Sequence, residues 1–340
     1  STFSIVFREA DYSEAEHSRA VAGLFNTDHH EIMVSQQDAL ATIPDALRAM
    51  DQPTIDGVNT YFVSQRTRAA GVKVALSGLG GDEVFGGYGS FHSVPRMERF
   101  GVLWANVPGA ARRALSGAYE VLAPSSDQNR KLAALVRGNG RVVHPYFLSR
   151  MLFAPKVRAK LAPSIPVEVS RKADVPQREA LRKTQELDAI NRVSYLESRC
   201  YMLNTLLRDS DAMSMAHGLE LRVPLIDHQV AQEVMALPGT LKISGSSPKQ
   251  LLVNALHGTL PDALIKRPKH GFTLPFEHWM RDALRPEIES TLRRIGTGPL
   301  QGLIDSDGAR KVWVDFLNGE TSWSRPWSVF VLQRWCEQNV

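Results

Sequence analysis

A glycine-rich segment, VALSGLGGDEVFGGY at residues 74–88, carries the strongest signal for chemistry in this sequence. Gly78, Gly80 and Gly81 follow a predicted strand, and positions without side chains let backbone amides approach a nucleotide closely. Asp82 comes next, and its carboxylate is the kind of hard oxygen ligand that Mg²⁺ takes beside phosphates. The alternative is a glycine-rich turn with surface carboxylates, since the segment is neither a Walker A sequence nor a GxGxxG fingerprint.

A lysine at a predicted helix start is the second candidate for chemistry. The segment SSPKQ predicts Ser247 as N-cap, Pro248 at the first helical position and Lys249 in the first turn. The helix dipole disfavours a cation there by about 0.3 to 1 kcal/mol, so a lysine at this position calls for another reason. A solvated surface lysine is the alternative interpretation.

The elements before the glycine-rich segment predict an α/β arrangement. TFSIVF and HHEIMV predict strands, helices are expected at about 37–50 and 58–70, and VKVALSG predicts a third strand. Strands that alternate with helices predict a parallel sheet, with a ligand crevice at the carboxyl ends of its strands. The glycine-rich segment follows the third strand and therefore lies where such a crevice is expected.

Beyond about residue 88 the sequence predicts mainly amphipathic helices. One helix is expected to begin at an N-cap, Asp227, and to end at the Pro-Gly pair at 238–239. Four apolar residues at helical spacing predict a buried stripe that includes a free thiol: Leu196, Cys200, Leu203 and Leu207.

Composition excludes several classes of protein. The net charge of +4, from 40 Lys and Arg against 36 Asp and Glu in 340 residues, is too small to indicate nucleic acid. Two cysteines, Cys200 and Cys336, are too few for a disulfide scaffold and favour a reducing compartment. No apolar run approaches the roughly 18 residues of a membrane helix, and a signal peptide is not recognisable. We expect a soluble, cytoplasmic protein with no nucleic-acid or membrane partner.

Residues 137–183 form a basic stretch, with eleven Lys or Arg against three acids. Such a stretch could bind an anionic partner. It lacks interleaved aromatic residues and any nucleic-acid motif, so a solvated surface is the favoured interpretation.

The segment SGLGGDEVFGGY resembles a nucleotide motif of the asparagine synthetase family, in its C-terminal, ATP-dependent amide-forming domain. The resemblance covers most of the chain outside about 92–190 and keeps the family's order of motifs. Its further segments are TFSIVF near the start, HHE at 29–31, MSMAHGLELRVPLID at 213–227, SSPKQLLVNAL at 246–256 and KRPKHGFTLPFEHW at 266–279.

The resemblance implies an α/β, Rossmann-like fold of the N-type ATP pyrophosphatases, with a parallel sheet followed by a mainly helical C-terminal region. We expect a partial nucleotide-binding core at 1–90, a helical insertion at 91–190 and a helical part at 191–340 that completes the site. Members of the family use ATP and Mg²⁺ to adenylate a carboxylate, release pyrophosphate and let an amine attack.

The same resemblance assigns roles to five residues. Ile5 resembles the adenine-contacting residue, and Ser77 and Gly78 resemble the nucleotide-contacting pair. Asp82 resembles a magnesium ligand, and Lys249 resembles the lysine that stabilises charge during adenylation and acyl transfer. Without the resemblance, a core isoleucine and a Ser-Gly turn would be the preferred interpretations of the first three.

Other charged residues near these motifs are weaker candidates. Glu220 and Arg222, with Asp227, are expected to form an ion pair that supports the site, in a catalytic or a purely structural role. Candidate contacts to phosphate or substrate lie in a predicted loop beside Gly271: Arg267, Lys269 and His270.

Three departures from the family pattern limit what the resemblance implies. The family's Ser-Gly-Gly-x-Asp-Ser loop, which holds pyrophosphate, is absent, and the chain starts with Ser1 where a glutaminase half would carry a nucleophilic cysteine. We therefore expect a fragment that is inactive alone, with ammonia supplied by a glutaminase domain absent from this chain. Leu79 stands where asparagine-forming members carry Glu and β-lactam-forming relatives carry Tyr, so it is a substrate-determining position that favours a carboxylate other than aspartate.

Three alternatives to this hypothesis stay open. The chain could support true asparagine synthesis from aspartate despite Leu79, or it could be a non-catalytic nucleotide-binding or scaffolding subunit. A remoter alternative is another ligase with the same fold, which would leave the Lys249 segment unexplained. The acyl substrate, a small molecule or a peptide carboxylate, is not identified by fold analogy.

Overall fold

The computed structural model describes residues 1–6, 14–137, 144–243, 248–265 and 274–340. They cluster into two compact units, each built from two stretches of chain. The strand-containing unit comprises Ser1–Gly86 and Ser198–Glu287, and the helical unit comprises Gly87–Glu197 and Ile288–Val340.

The elements follow one another along the chain without an internal repeat. The first part contains β1 (Thr2–Val6), α1 (Ala15–Leu24), β2 (His29–Met33), α2 (Gln36–Ala49), α3 (Gly57–Ala69), β3 (Val74–Leu76) and α4 (Gly81–Phe85). The next part contains α5 (Ser90–Trp104), α6 (Gly109–Leu122), α7 (Asp127–Arg137), α8 (Pro145–Arg150), α9 (Pro155–Leu161), α10 (Val167–Ala173), α11 (Val175–Arg182) and α12 (Ala189–Leu196).

The remaining elements include three stretches that are not α-helical: a π-helix (Glu197–Leu206) and two short 3-10 helices (Pro224–Ile226 and Gly239–Leu241). The α-helices and the last strand are α13 (Leu207–Met215), β4 (Glu220–Arg222), α14 (His228–Ala236), α15 (Gln250–Ala255), α16 (Asp262–Ile265), α17 (Phe276–Arg281), α18 (Arg285–Arg294), α19 (Ser306–Leu317) and α20 (Ser324–Asn339).

The four strands of the described residues form two separate parallel pairs. β1 pairs with β2, with Ile5 opposite Ile32, and β3 pairs with β4, with Ala75 opposite Leu221. The predicted parallel arrangement is therefore confirmed, whereas a single sheet is not formed among these residues. β4 escaped the sequence analysis because three residues, Glu-Leu-Arg, show no apolar run.

Local signals set the helices of the strand-containing unit as predicted. α2 starts with a capping box in which the Ser35 side chain accepts from the Asp38 N–H and the Asp38 carboxylate accepts from the Ser35 N–H. α14 is capped by the predicted Asp227, whose Oδ1 accepts from the Gln229 N–H at 2.9 Å. The core of this unit includes Leu47 of α2 and Phe62 of α3, both buried.

The predicted stripe from Leu196 to Leu207 is wrong beyond its first member. Residues 197–206 are π-helical, and a π-helix closes its hydrogen bonds five residues apart, so side chains four apart no longer share a face. Leu203 is consequently 41% exposed and Met202 is buried in its place. The Cys200 thiol lies half-buried, whereas the Cys336 thiol is buried and its pKa is raised by that burial.

The helical unit has its own core, which includes Trp327 and Phe330 of α20, both fully buried. Across the described ranges, no helix combines the length and the apolar character that crossing a membrane requires.

Candidate nucleotide site at the end of β3

The glycine-rich turn begins where β3 ends, as predicted. The Ser77 N–H donates to the Arg222 carbonyl at 2.8 Å and so extends the β3–β4 ladder by one bond. The Leu79 N–H then donates to Ser77 Oγ at 3.4 Å, and Gly80, at φ +87°, precedes the first turn of α4. Asp82 lies in that first turn, where the helix dipole favours a carboxylate.

The glycines of this turn serve two different purposes. A Cβ at Gly80 would lie 1.9 Å from Ile226 Cγ2, and one at Gly81 would lie 2.9 Å from Leu225 Cδ1. These two positions therefore let the turn pack against the 3-10 helix at 224–226. Gly78 differs, since no described atom lies within 4 Å of the position of its Cβ. Of the three, Gly78 is the one that leaves open space for a ligand.

An apolar cluster holds α4, α14 and α15 together. Val84 and Phe85 of α4 and Val234 of α14 are buried, and Leu251 and Leu252 of α15 pack against them. The burial of these side chains brings the start of α15 to the start of α4.

This packing places the two main site candidates in contact. Lys249 Nζ lies 3.2 Å from Asp82 Oδ1, and the two side chains are 34% and 25% exposed. α15 begins at Gln250, so Lys249 is the N-cap residue and the prediction that it lies in the first turn is wrong. Ser247, its predicted cap, lies outside the described residues.

The backbone of Lys249 adopts a conformation that lysine rarely takes. Its φ of +56° and ψ of +38° lie in the left-handed region, and Asn26 is the other non-glycine residue with a positive φ in the described part of the chain. For a residue with a Cβ this conformation costs roughly 1 to 2 kcal/mol. A partly exposed ion pair contributes about 0 to 1 kcal/mol, so the contact with Asp82 does not offset that cost. Strain of this kind is typical of functional sites.

The donor set at Asp82 suits magnesium rather than a closed structural metal site. The described ranges contain no group of three His, Cys, Asp or Glu side chains that could hold a metal ion. Mg²⁺ is usually held by one or two carboxylates together with phosphate oxygens and water, so a single carboxylate beside open space fits this ion.

The other predicted nucleotide contacts lie on different strand pairs. Ile5 is buried in β1, beside a cavity of about 600 Å³ between β1 and α1. Ser77 and Gly78 follow β3, which pairs with β4 instead. Leu79 lies half-buried in the turn between Gly78 and Gly80.

The supporting residues separate into different roles. Arg222 Nε donates to Glu220 Oε1 at 2.7 Å, and both side chains are exposed. Asp227 caps α14 and does not join that ion pair. Three further candidates lie outside the described residues: Arg267, Lys269 and His270.

A buried carboxyl group that the sequence did not indicate lies elsewhere in the strand-containing unit. Asp209 of α13 is 3% exposed and accepts a hydrogen bond from Thr54 Oγ1 at 2.6 Å. Burial raises the pKa of Asp209 to about 7, and the neighbouring carboxylates Asp56 and Asp51 raise it further, against the Thr54 hydrogen bond. No local pattern announces this residue, because its burial depends on the packing of α13 against α3.

Comparison with known proteins assigns the chain to a family. Residues 1–337 match the family model described as asparagine synthase. Asparagine synthetase [glutamine-hydrolyzing] 1 of Bacillus subtilis (strain 168) is 26% identical over 342 residues, covering 100% of this chain and 52% of the relative. A putative asparagine synthetase [glutamine-hydrolyzing] of Mycobacterium bovis is 26% identical over 98% of this chain and 50% of the relative.

A relative with a different name matches over a comparable length. Amidase chyE of Penicillium rubens is 22% identical over 89% of this chain and 47% of its own length. The chain thus spans about half the length of the curated relatives it matches. The resemblance found from five ordered motifs is confirmed, and the chain belongs to the asparagine synthase family.

Proposed function

We propose that this chain carries the synthetase chemistry of an ATP-dependent amide-forming ligase with an N-type ATP pyrophosphatase fold. A carboxylate oxygen of the substrate attacks the α-phosphorus of ATP and pyrophosphate leaves. An amine then attacks the acyl carbon, loses a proton and displaces AMP. The observation that carries the proposal is the contact between Lys249 Nζ and Asp82 Oδ1 at the end of β3.

Each site residue has a defined task in this proposal. Asp82 holds Mg²⁺, which neutralises charge on the phosphates when it is bound. The Lys249 ammonium stabilises the negative charge that develops on the phosphate oxygens as the bond to pyrophosphate breaks. Ser77 and Gly78 contact the nucleotide through their backbone, at the position where the turn faces open space. Ile5 supplies an apolar surface to adenine.

The strained backbone supports an active role for Lys249. Since the ion pair with Asp82 does not offset the cost of a left-handed lysine, a further requirement must keep the residue in place. An ammonium held beside the magnesium ligand, at a fixed backbone position, meets the requirement for preorganised charge stabilisation.

Two substitutions separate the charge of Lys249 from its backbone. Lys249→Ala removes the ammonium and keeps the left-handed strain, whereas Lys249→Gly removes both. We expect both variants to bind a magnesium complex of a non-hydrolysable ATP analogue nearly as well as the parent. Pyrophosphate release should fall by at least about 10²-fold in both. Lys73→Ala, at an exposed lysine before β3, is the matched control and should leave both readouts unchanged.

The readouts are analogue binding by calorimetry and carboxylate-dependent pyrophosphate release, with the protein assayed in the presence of ammonia. Pyrophosphate release within a few-fold of the parent in either variant would remove Lys249 from the mechanism. Analogue binding by the parent with no pyrophosphate release for any carboxylate would favour the non-catalytic, nucleotide-binding alternative.

Leu79 bears on the acyl substrate. Its side chain can neither donate nor accept a hydrogen bond, and it lies half-buried inside the turn between Gly78 and Gly80. Such a side chain can shape a pocket and exclude water, but it does not exchange a proton. We therefore propose a carboxylate other than aspartate, such as a sugar acid or a peptide.

The names of the relatives supply the competing candidate. Two of them are named as glutamine-hydrolysing asparagine synthetases, which favours aspartate as acyl substrate and ammonia from a glutaminase domain. Comparing aspartate with uronic acids in the pyrophosphate assay separates the two candidates. Strong dependence on aspartate alone would defeat the proposal drawn from Leu79.

A further inference from the structure

The basic stretch at 137–183 finds no role in amide formation, and two of its residues face a cavity. The cavity has a volume of about 620 Å³ and is built within the helical unit alone. α6 and α7 form two of its walls, and the start of α9 forms the third. Arg137, at the end of α7, and Lys156, in the first turn of α9, lie among its lining residues.

Small side chains explain why these helices leave a cavity. Where α6 and α7 meet, the buried Ser116 Oγ donates to the Ala133 carbonyl at 3.1 Å, so the helices pack tightly there. Towards the cavity, six of the fourteen lining residues are Ala or Pro and fill little volume: Ala123, Pro124, Ala133, Ala134, Ala154 and Pro155.

Hydrogen bonds fix the turn that joins α6 to α7 at one end of the cavity. Tyr119 Oη donates to Asn129 Oδ1 at 2.8 Å, and Asn129 Nδ2 donates to the Pro124 carbonyl at 2.8 Å. All three residues line the cavity, so its wall is held by bonds that do not need a ligand. The cavity is preformed, which lowers the ordering cost of binding.

The charged groups of the cavity leave a positive surplus. One carboxylate, Glu120, is shared by two cations: Arg137 Nη2 donates to its Oε2 at 2.9 Å, and Lys156 Nζ pairs with the same oxygen. The third cation, Arg130, contacts acidic residues that do not line the cavity, Asp315 and Glu320. Among the described lining residues, Arg137 and Lys156 therefore carry one positive charge more than Glu120 neutralises.

We propose that this cavity is a second ligand site, which binds a small organic monocarboxylate with an apolar or aromatic body. Its volume lies in the range of sites for small molecules, roughly 300 to 1,000 Å³. The apolar body would lie against the alanine and proline walls, and the carboxylate would face Arg137 and Lys156. A guanidinium fork matches a carboxylate in shape, and a single surplus charge matches a monoanion.

The test compares indole-3-acetate with indole-3-acetamide, and octanoate with octanamide, because each pair differs mainly in the negative charge. Binding to the full chain is followed by calorimetry and by the rise in unfolding temperature that binding to the folded state produces. We expect at least one of the two acids to bind with a Kd below about 1 mM, and its amide to bind at least about tenfold more weakly.

Four variants locate the site and separate it from general changes in structure. Arg137→Gln and Ala134→Phe, which fills the cavity, should each weaken binding of the acid by at least about tenfold. Glu120→Gln should strengthen it, because the competing carboxylate is gone while the shape is kept. Lys160→Gln, in the same basic stretch but not among the cavity-lining residues, is the control and should bind as the parent does.

The opposite effects expected at Glu120 and Arg137 distinguish a binding site from a structural role, since loss of folding weakens binding in both. No saturable binding of either acid at about 1 mM would overturn the proposal. It would also fail if Lys160→Gln weakened binding as much as Arg137→Gln does, or if the acids and amides bound alike.

Discussion

Replacing Gly80 by alanine tests the packing of the candidate turn most directly. The new Cβ would lie 1.9 Å from Ile226 Cγ2 and 3.3 Å from Ile226 Cβ, and the residue has a φ of +87°. A left-handed alanine costs roughly 1 to 2 kcal/mol, and overpacking costs roughly 1 to 3 kcal/mol. Alanine recovers about 0.4 to 1 kcal/mol by restricting the unfolded chain. We expect Gly80→Ala to lower the free energy of unfolding by about 2 to 4 kcal/mol.

Two further variants divide this loss into its parts. Gly78→Ala in the same turn meets no described atom within 4 Å and has no left-handed φ, so the free energy of unfolding should change by less than about 1 kcal/mol. Ile226→Ala removes the methyl group that the Gly80→Ala side chain would strike. The double variant should therefore be more stable than the sum of the single changes predicts, by about 1 to 3 kcal/mol.

Urea unfolding followed by circular dichroism measures these differences, and binding of a magnesium complex of an ATP analogue follows the site. Gly78→Ala should weaken nucleotide binding while the fold stays intact, because its methyl group enters the open space beside the turn. The reasoning is refuted if Gly80→Ala and Gly78→Ala change stability equally, or if Gly80→Ala and Ile226→Ala show no coupling.

The remaining predictions concern two buried carboxyl groups. The pKa of Asp209, about 7, lies above the value near 3.9 of an exposed aspartate, so the folded state binds the proton more tightly and stability falls as pH rises from about 4 to 7. Asp209→Asn should therefore lose less stability than the parent between pH 5 and pH 8 in urea titrations, and parallel pH profiles would contradict this. In the helical unit, Glu197 is fully buried and Arg150 Nη2 lies 2.6 Å from its Oε2. Arg150→Met should cost about 3 to 5 kcal/mol, and more than Glu197→Gln, because it alone leaves an unpaired buried charge; equal losses would show that the carboxylate does not need this partner.

Local signals in the sequence were sufficient for the elements that local interactions decide. The capping box at Ser35 and the N-cap at Asp227 involve residues within three positions, so the sequence predicts both helices to within a residue or two. The π-helix at 197–206 went unrecognised because its apolar spacing also fits an α-helix. The strand β4 was missed because its pairing with β3 depends on residues far away in the chain.

The contact between Lys249 and Asp82 shows why the site could be anticipated but not constructed from the sequence. The motifs assigned phosphate and magnesium chemistry to the two residues separately, and nothing local places them together. Their approach depends on the burial of Val84 and Phe85 against Leu251 of α15, a tertiary event that the periodicity of neither helix specifies. The left-handed backbone of Lys249 follows from the same packing, because the chain must turn sharply to begin α15 at Gln250. Substitutions in this apolar cluster should therefore weaken pyrophosphate release without touching either charged group.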